Sequence, residues 1–233
     1  MFPLSLAQRR FRPEIMDQPG LDEARHHHAL SGLSRLNRAS NITRQLWKPI
    51  RSYSKMHGTR ALRVLDVASG GGDVPLGLWK LAQKNGITLR ILGLDASPTA
   101  CRYATQQCSP AGGSISFRQT DVTRDELPMG FDIVICSLFL HHLSFAHGAE
   151  LLKRMGAAGR LLVVSDLRRC AVGYALAQLA CHLLTTSQIV GSDGPQSVVN
   201  AFSLSEFREL CRAADLKGAS IRAVWPFRLL LVR

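Results

Sequence analysis

The sequence has few of the features that mark a secreted, metal-stapled or membrane-spanning protein. Its six cysteines, Cys101, Cys108, Cys136, Cys170, Cys181 and Cys211, include no CxxC pair, and no histidine pair stands at metal-ligand spacing. They read as reduced thiols of a cytoplasmic chain, with no disulfide frame and no metal site expected. Apolar runs are short. The Met1–Arg10 start places too brief an apolar stretch ahead of its charges for a secretory signal. The most lipophilic segment, Ala171–Leu184, is too short to span a bilayer and carries Gln178 and His182. Aromatic residues make up only 6%, so stacking platforms for single-stranded nucleic acid are not evident. Acids are scarce too, 17 against 29 Lys and Arg, for a net charge of +12. What is present, 46% apolar and 20% charged residues over a length of 233, supports one large core and excludes wholesale disorder.

The positive charge is uneven. Twelve basic and four acidic residues precede Val64, a net of +8 in the first quarter of the chain. Three readings of this region follow, in this order: a solvated helix face, contact with an anionic membrane surface or an acidic protein, and nucleic-acid binding, which lacks a supporting motif. Arginine supplies 23 of the 29 basic residues, and its stem covers apolar surface while its head stays wet, which suits a lid over a greasy substrate.

Residues 1–20, with Pro3, Pro13 and Pro19, show no sustained period and read as an arm lying over the surface. Ala29, Leu30, Leu33 and Leu36 recur at helical spacing, and Ile42, Leu46, Trp47 and Ile50 repeat the pattern, with a kink or an end expected near Pro49. From Arg63 onward short β-branched runs alternate with helical stretches. Strands are expected at 63–68, 89–94, 114–117, 131–136 and 161–165, with helices between them from Asp73, Pro98 and Ala149. That alternation predicts parallel βαβ units in an open α/β sheet. A long apolar helix over about 167–190, a turn at Gly191–Pro195, a helix from Leu204 and two final strands complete the expected order.

An open α/β sheet binds ligands at the carboxyl ends of its strands. The first strand ends in Asp66-Val67-Ala68-Ser69-Gly70-Gly71-Gly72-Asp73, where glycines tolerate positive φ and close approach, and where two acids suit a positively charged ligand better than a pyrophosphate. The second strand ends in Asp95-Ala96-Ser97, an acid placed to accept both hydroxyls of a ribose. The third leads into Asp121-Val122, and the fourth through Ser137 into His141 and His142. Four strand ends thus offer polar groups to one cleft. The triple His26-His27-His28 cannot share one helix face, so a solvated helix start is expected there.

Taken together, Leu65 to Asp73 and these strand ends resemble the class I S-adenosylmethionine-dependent methyltransferases, of the small-molecule type related to ubiquinone and menaquinone C-methyltransferases, over about residues 60–166. Ala68 stands where many members have a first glycine. The resemblance implies a Rossmann-like fold, mostly parallel with helices on both faces. It also implies that Asp66, Ala68, Gly70 and Gly72 line the methionine part of S-adenosylmethionine, that Asp95 holds the ribose, that Ala96 and Ser97 flank the adenine and that Asp121 and Val122 meet its edge; Asp73 and Ser137 are further cofactor-binding candidates at the same strand ends. Pro13-Glu14-Ile15-Met16-Asp17, Leu36-Asn37-Arg38 and Asp193-Gly194 to Ala201-Phe202-Ser203 further resemble bacterial methyltransferases associated with type III polyketide synthases and flavin oxidoreductases, which points to a phenolic or quinone-like acceptor in secondary metabolite biosynthesis.

A phenol has a pKa of about 10, so a neutral imidazole helps by taking its proton. His141 and His142 are the catalytic candidates, and His182, in the apolar helix, a substrate-binding one. The expected organisation is an N-terminal arm and helical cap over 1–58 and a methyltransferase core over 59–233 with a helical insertion at about 167–200. The expected reaction is O-methylation ahead of C-methylation. The alternatives are an RNA methyltransferase, an inactive cofactor-binding partner of a biosynthetic complex and a NAD-dependent oxidoreductase.

Overall fold

The computed structural model describes residues 6–18 and 20–233; Met1–Ser5, with Pro3, and Pro19 lie outside the described residues. Seven strands form one sheet in the order β3-β2-β1-β4-β5-β7-β6. They are β1 (Ala61–Val67), β2 (Thr88–Asp95), β3 (Ile115–Gln119), β4 (Phe131–Ser137), β5 (Gly159–Leu167), β6 (Ser220–Val224) and β7 (Arg228–Val232). The first five pair in parallel, and β7 runs antiparallel to both β5 and β6. Strand order reverses between β1 and β4, so a crevice opens at their carboxyl ends.

Among the described residues eight α-helices precede, alternate with or follow these strands: α1 (Glu23–Ala39), α2 (Ile42–Met56), α3 (Asp73–Lys84), α4 (Pro98–Gln107), α5 (Phe145–Ala158), α6 (Ala171–Leu184), α7 (Gln188–Asn200) and α8 (Leu204–Ala213). The side-chain period of two divides the sheet between two cores. Leu62 and Val64 of β1, Ile133 and Ile135 of β4 and Leu230 of β7 meet Ile42, Leu46 and Leu78 from α2 and α3. Leu65, Val67, Val134, Cys136, Leu229 and Leu231 face the other way, onto Leu151, Leu152, Phe207 and Leu210 from α5 and α8. A third, smaller cluster joins α1, α6 and α7 through Ala29, Cys181, Ile189 and Val190. It places Leu30 of α1 against Gly71 at the end of β1.

Several boundaries differ from the sequence expectation. Helix α2 runs through Pro49 to Met56. Proline removes one N–H from the ladder, yet the buried stripe of Ile42, Leu46, Trp47 and Ile50 anchors both sides of it. Helix α3, by contrast, starts at Asp73 as expected, with Gly72 in the capping position before it. The long helix expected to end near Val190 is two helices, and the break falls at Thr185–Ser187. There the hydroxyls take over backbone bonding: Thr185 Oγ1 accepts from Ser187 N, and Ser187 Oγ accepts from Val190 N as the cap of α7. The Gly191–Pro195 stretch, expected as a turn, lies inside α7. Gly194 is there because α7 crosses α6 closely: a Cβ on it would stand 2.3 Å from Cys181 Sγ.

The arm is more than a surface strap. After a turn and bend over Leu6–Gln8, residues 9–14 run without helix or strand to a single turn of 3-10 helix at Ile15–Asp17. Arg9 donates to the carbonyls of Asn200, His141 and Leu143, and its guanidinium stacks 3.9 Å from the Phe202 ring centre. Glu14 is only 4% exposed. Among the described residues no helix is long and apolar enough to cross a membrane.

Candidate active site

The glycine turn after β1 brings three acids together. Asp66 is fully buried, and neither carboxylate oxygen has a hydrogen-bond donor. Burial first, and then the charges of Asp73 and Asp95, push its carboxyl well above the usual carboxylate range. Ala68, Gly70 and Gly72 follow in left-handed backbone, with φ of 59°, 53° and 77°. Above Gly70 there is open space, whereas a Cβ on Gly72 would meet Phe117 and Ala104 at 2.9 and 3.0 Å. The turn is tied to β2: Gly70 N donates to one oxygen of Asp95 at 2.8 Å, and Ser97 N to the other at 2.9 Å. Burial raises the Asp95 carboxyl in spite of these two bonds. Asp73 accepts from Asn37 Nδ2 of α1 at 3.1 Å, and here too burial raises the carboxyl against the bond.

The other residues singled out in the sequence are distributed unevenly. Val122 is buried, Ser137 is half-buried at the end of β4 beside Ser165, and Ala96 is exposed. Asp121 is half-exposed, and one of its oxygens accepts from the Thr123 backbone and hydroxyl at 3.0 and 2.6 Å, a pairing that holds its carboxyl below the ordinary value. His182 is exposed on α6, so the structure does not bring it to the cleft. Only one side of α6 turns inward, and Cys181, not its neighbour, occupies that side. His26, expected in water, is 7% exposed; burial lowers its pKa, opposed by the nearby charge of Asp95.

His141 and His142 stand in the turn after β4, with ring centres 4.3 Å apart. Three acids surround them. His141 Nδ1 lies 2.6 Å from Asp166 at the end of β5, and His142 Nδ1 lies 2.7 Å from Asp17 of the arm. Glu14 faces both Nε2 atoms, at 3.8 and 3.9 Å. Burial opposes the charged form of His142, but its bond to Asp17 and the charges of Glu14, Asp17 and Asp166 prevail and carry its pKa up to about 9. Asp166 is fully buried, and burial alone would raise its carboxyl; His141, bonded and adjacent, holds it below the usual value. Contrary to the expectation of no metal-ligand grouping, Glu14, His141 and His142 present ligand atoms that all lie within 4.8 Å of one another.

Glu14, Asp17 and Asp166 were not singled out as site residues. Asp166 carried no local signal, being one polar residue at the end of an apolar strand. Glu14 and Asp17 sat in the Pro13–Asp17 segment, where only the family resemblance marked them. Their supports come from the segments marked the same way. Asp193 accepts from Ile15 N and Met16 N, and Ser197 and Asn200 donate to Glu14.

Two buried carboxylate oxygens lacking donors, beside a turn with free space over Gly70, fit a cationic ligand bearing N–H groups. The ammonium of S-adenosylmethionine is such a group, and the acid at the end of β2 suits its ribose. Residues 64–159 match the family model described as a methyltransferase domain. No curated protein matches the chain by sequence. Among solved structures, a candidate O-methyltransferase from Nostoc punctiforme PCC 73102 is similar over 94% of this chain and 63% of its own, at 12% identity and a TM-score of 0.64. The plantazolicin methyltransferase BpumL, solved with a triazolic desmethylPZN analogue and SAH, is similar over 90% of this chain and 95% of its own, at 16% identity and a TM-score of 0.64. Human N-acetylserotonin methyltransferase, solved with SAM, is similar over 91% and 56%, at 16% identity and a TM-score of 0.63. The chain therefore spans less than two thirds of the first and third of these proteins, and at such identities the likeness concerns the fold. The matched segment carries the glycine turn, the β2 acid and the histidine pair, and residues 64–159 match a methyltransferase domain.

Proposed function

We propose that this chain transfers a methyl group from S-adenosylmethionine to a small aromatic or lipophilic acceptor bearing a hydroxyl, phenolic or quinone-like, in secondary metabolite biosynthesis in the cytoplasm. The observation that carries this reading is the pair of imidazoles after β4, each with Nδ1 held by a carboxylate and Nε2 left free of a hydrogen bond. An ionised carboxylate accepts from Nδ1–H, so a neutral ring keeps its lone pair on Nε2; His142, its pKa raised to about 9, must first give up its own proton before it can act in this way. Such a nitrogen takes the proton of a phenol as the oxygen attacks. Asp166 and Asp17 are positioning residues in this reading, because they set the tautomer.

S-adenosylmethionine supplies an electrophilic methyl on a sulfonium centre. Asp66 takes its ammonium, Asp95 the ribose hydroxyls, Val122 the adenine face and the second oxygen of Asp121 the adenine amine, while Ala68, Gly70, Gly72 and Asp73 shape the methionine end and Ala96, Ser97 and Ser137 border the cleft. Methyl transfer is an in-line displacement, so much of the rate comes from holding the two reactants in line where water is excluded. Leu30 over the glycine turn and the arm over the histidines provide that exclusion. The basic α1 and α2 supply the surface for an anionic membrane or an acidic protein.

Calorimetry with S-adenosylhomocysteine tests the cofactor site: Asp95→Ala abolishes binding, and unchanged affinity overturns the assignment. Incubation with S-adenosylmethionine and a panel of phenols, followed by mass spectrometry for a methylated product, tests the reaction. His141→Ala and His142→Ala lower turnover while retaining cofactor affinity; if neither slows methylation, the proton-transfer role is lost.

A further inference from the structure

We infer that Glu14, His141 and His142 form a binding site for one divalent transition-metal ion of the zinc type. The site lies where the N-terminal arm closes over the carboxyl edge of β4 and β5. It does not depend on which acceptor the enzyme methylates.

The orientation of the rings comes first. Both Nδ1 atoms are taken, His141 by Asp166 at 2.6 Å and His142 by Asp17 at 2.7 Å. Both Nε2 atoms then converge on the Glu14 carboxylate, at 3.8 and 3.9 Å. These distances are too long for hydrogen bonds. They leave both Nε2 atoms facing the carboxylate without a hydrogen bond to it. Three ligand atoms, one from each residue, lie within 4.8 Å of one another. Movements of about half an ångström bring such atoms to the roughly 2.0–2.2 Å bonds that zinc makes with imidazole and carboxylate.

The outer shell has the form expected of a metal site. Ligating histidines donate their other N–H to a carboxylate, which fixes the ring and raises its basicity; here both do. The third ligand is held as firmly, since Ser197 Oγ donates to Glu14 at 2.9 Å and Asn200 Nδ2 at 3.1 Å. Glu14 and His141 are 4% and 2% exposed, so this is no surface cluster of acids. Glu14 and Asp166 are buried acids and Asp17 a half-exposed one beside the two rings, while Arg9 donates to the carbonyls of His141, Leu143 and Asn200. A divalent cation held between them would balance the buried acids.

The donor set selects the ion. Two imidazoles and one carboxylate suit zinc and its first-row neighbours, whereas magnesium and calcium prefer oxygen ligands alone. Three protein ligands leave a coordination position open, the pattern of catalytic ions. An acceptor hydroxyl bound there would ionise on the metal and lose its proton to water.

Zinc alone is the probe. The full chain is stripped with a chelator, dialysed and titrated with zinc by calorimetry, with metal content measured by elemental mass spectrometry and cobalt(II) used for visible absorption. The expected result is one equivalent bound and a cobalt spectrum of a nitrogen–oxygen site. Glu14→Gln and His142→Ala weaken zinc by about 100-fold or more, and Asp17→Asn, at a partly exposed position, by about 10- to 100-fold. Each variant is first shown to bind S-adenosylhomocysteine, which certifies its fold. Absence of stoichiometric zinc, or equal affinity in all variants, overturns the site. Methylation by metal-free protein that binds no zinc removes the ion and leaves the methyltransferase reading standing. Stoichiometric zinc without methylation of any phenol supports the site and removes the acceptor reading.

Discussion

Asp193, in the second turn of α7, receives two backbone N–H groups of the N-terminal arm, Ile15 N on one oxygen at 3.0 Å and Met16 N on the other at 2.9 Å. This clasp sets the 3-10 turn, so that Glu14, just before it, and Asp17, its last residue, face the histidines. It also explains how a charged residue is tolerated inside a helix that packs on α1 and α6: both its oxygens are used.

Hydrogen bonds to a charged group are worth about 1.5–3 kcal/mol each, so Asp193→Ala should release the arm. The expected outcome is rapid proteolysis within residues 7–20 and a drop in stability of about 2–4 kcal/mol, with the 64–159 segment still resistant. Limited proteolysis followed by mass spectrometry reads this directly, and an arm as protected as in the parent protein would show the clasp to be incidental.

Asp66 predicts a pH dependence. Its carboxyl is raised well above the usual range in the folded chain. The native state therefore binds the proton more tightly than the unfolded chain does, and stability without ligand declines as pH rises from the ordinary carboxylate value through the raised one. An ammonium placed on Asp66 reverses the preference, so cofactor binding expels the proton. Titrations of S-adenosylhomocysteine in buffers of different ionisation enthalpy should show proton release and tighter binding with rising pH. Asp66→Asn should abolish the release and weaken binding by about 10- to 100-fold, the equivalent of one charged hydrogen bond.

The glycine turn offers a pair of opposite substitutions. Gly72 has φ of 77° and no room for a methyl group beside Phe117 and Ala104, so Gly72→Ala should cost about 2–3 kcal/mol in urea denaturation. Ala68 is itself left-handed, at φ 59°. Ala68→Gly relieves about 1–2 kcal/mol of steric cost against about 0.5–1 kcal/mol of added chain entropy. A small net gain in stability is the expected result, and a loss would mean that the Ala68 methyl packs usefully.

Arg228 starts β7 as a buried guanidinium. Nη2 donates to Ser40 Oγ, while Nε and Nη1 find no partner. Burial brings its pKa down to about 10, opposed by the charge of Asp166. Because the native pKa lies below the unfolded one, the charged form destabilises the fold at neutral pH, and the penalty eases only as pH rises through about 10. Arg228→Met should raise thermal stability at pH 7, by about 1–3 kcal/mol. No change in melting temperature would mean that solvent reaches the guanidinium.

The strands and the β1–α3 turn were legible because their signals are local: a β-branched run, then glycines, then a proline in the first helical turn. The same held for α4, bounded by Ser97 and Pro98, and for α8, where Ser203 and Glu206 form a reciprocal cap. Legibility failed where a distant contact outweighs a local preference. Gly191–Pro195 has the composition of a turn and is helical, since Gly194 permits the crossing with Cys181 and Asp193 is paid for by the arm's backbone. His182 sits in an apolar sequence but on the outer side of α6, and pattern alone did not tell which side faces inward.

By itself the sequence determined the parallel α/β sheet, the glycine turn with its acids and the position of the histidine pair after the fourth strand, because residues adjacent in the chain specify strand, turn and cap through short-range sterics and hydrogen bonding. Only the tertiary structure decided what the histidines face. Glu14 and Asp166 are separated by more than half of the chain, and no spacing rule relates them. They meet across His141 because the arm is clasped by α7 and β5 lies beside β4 in the sheet, and the burial that follows is what makes their charges count.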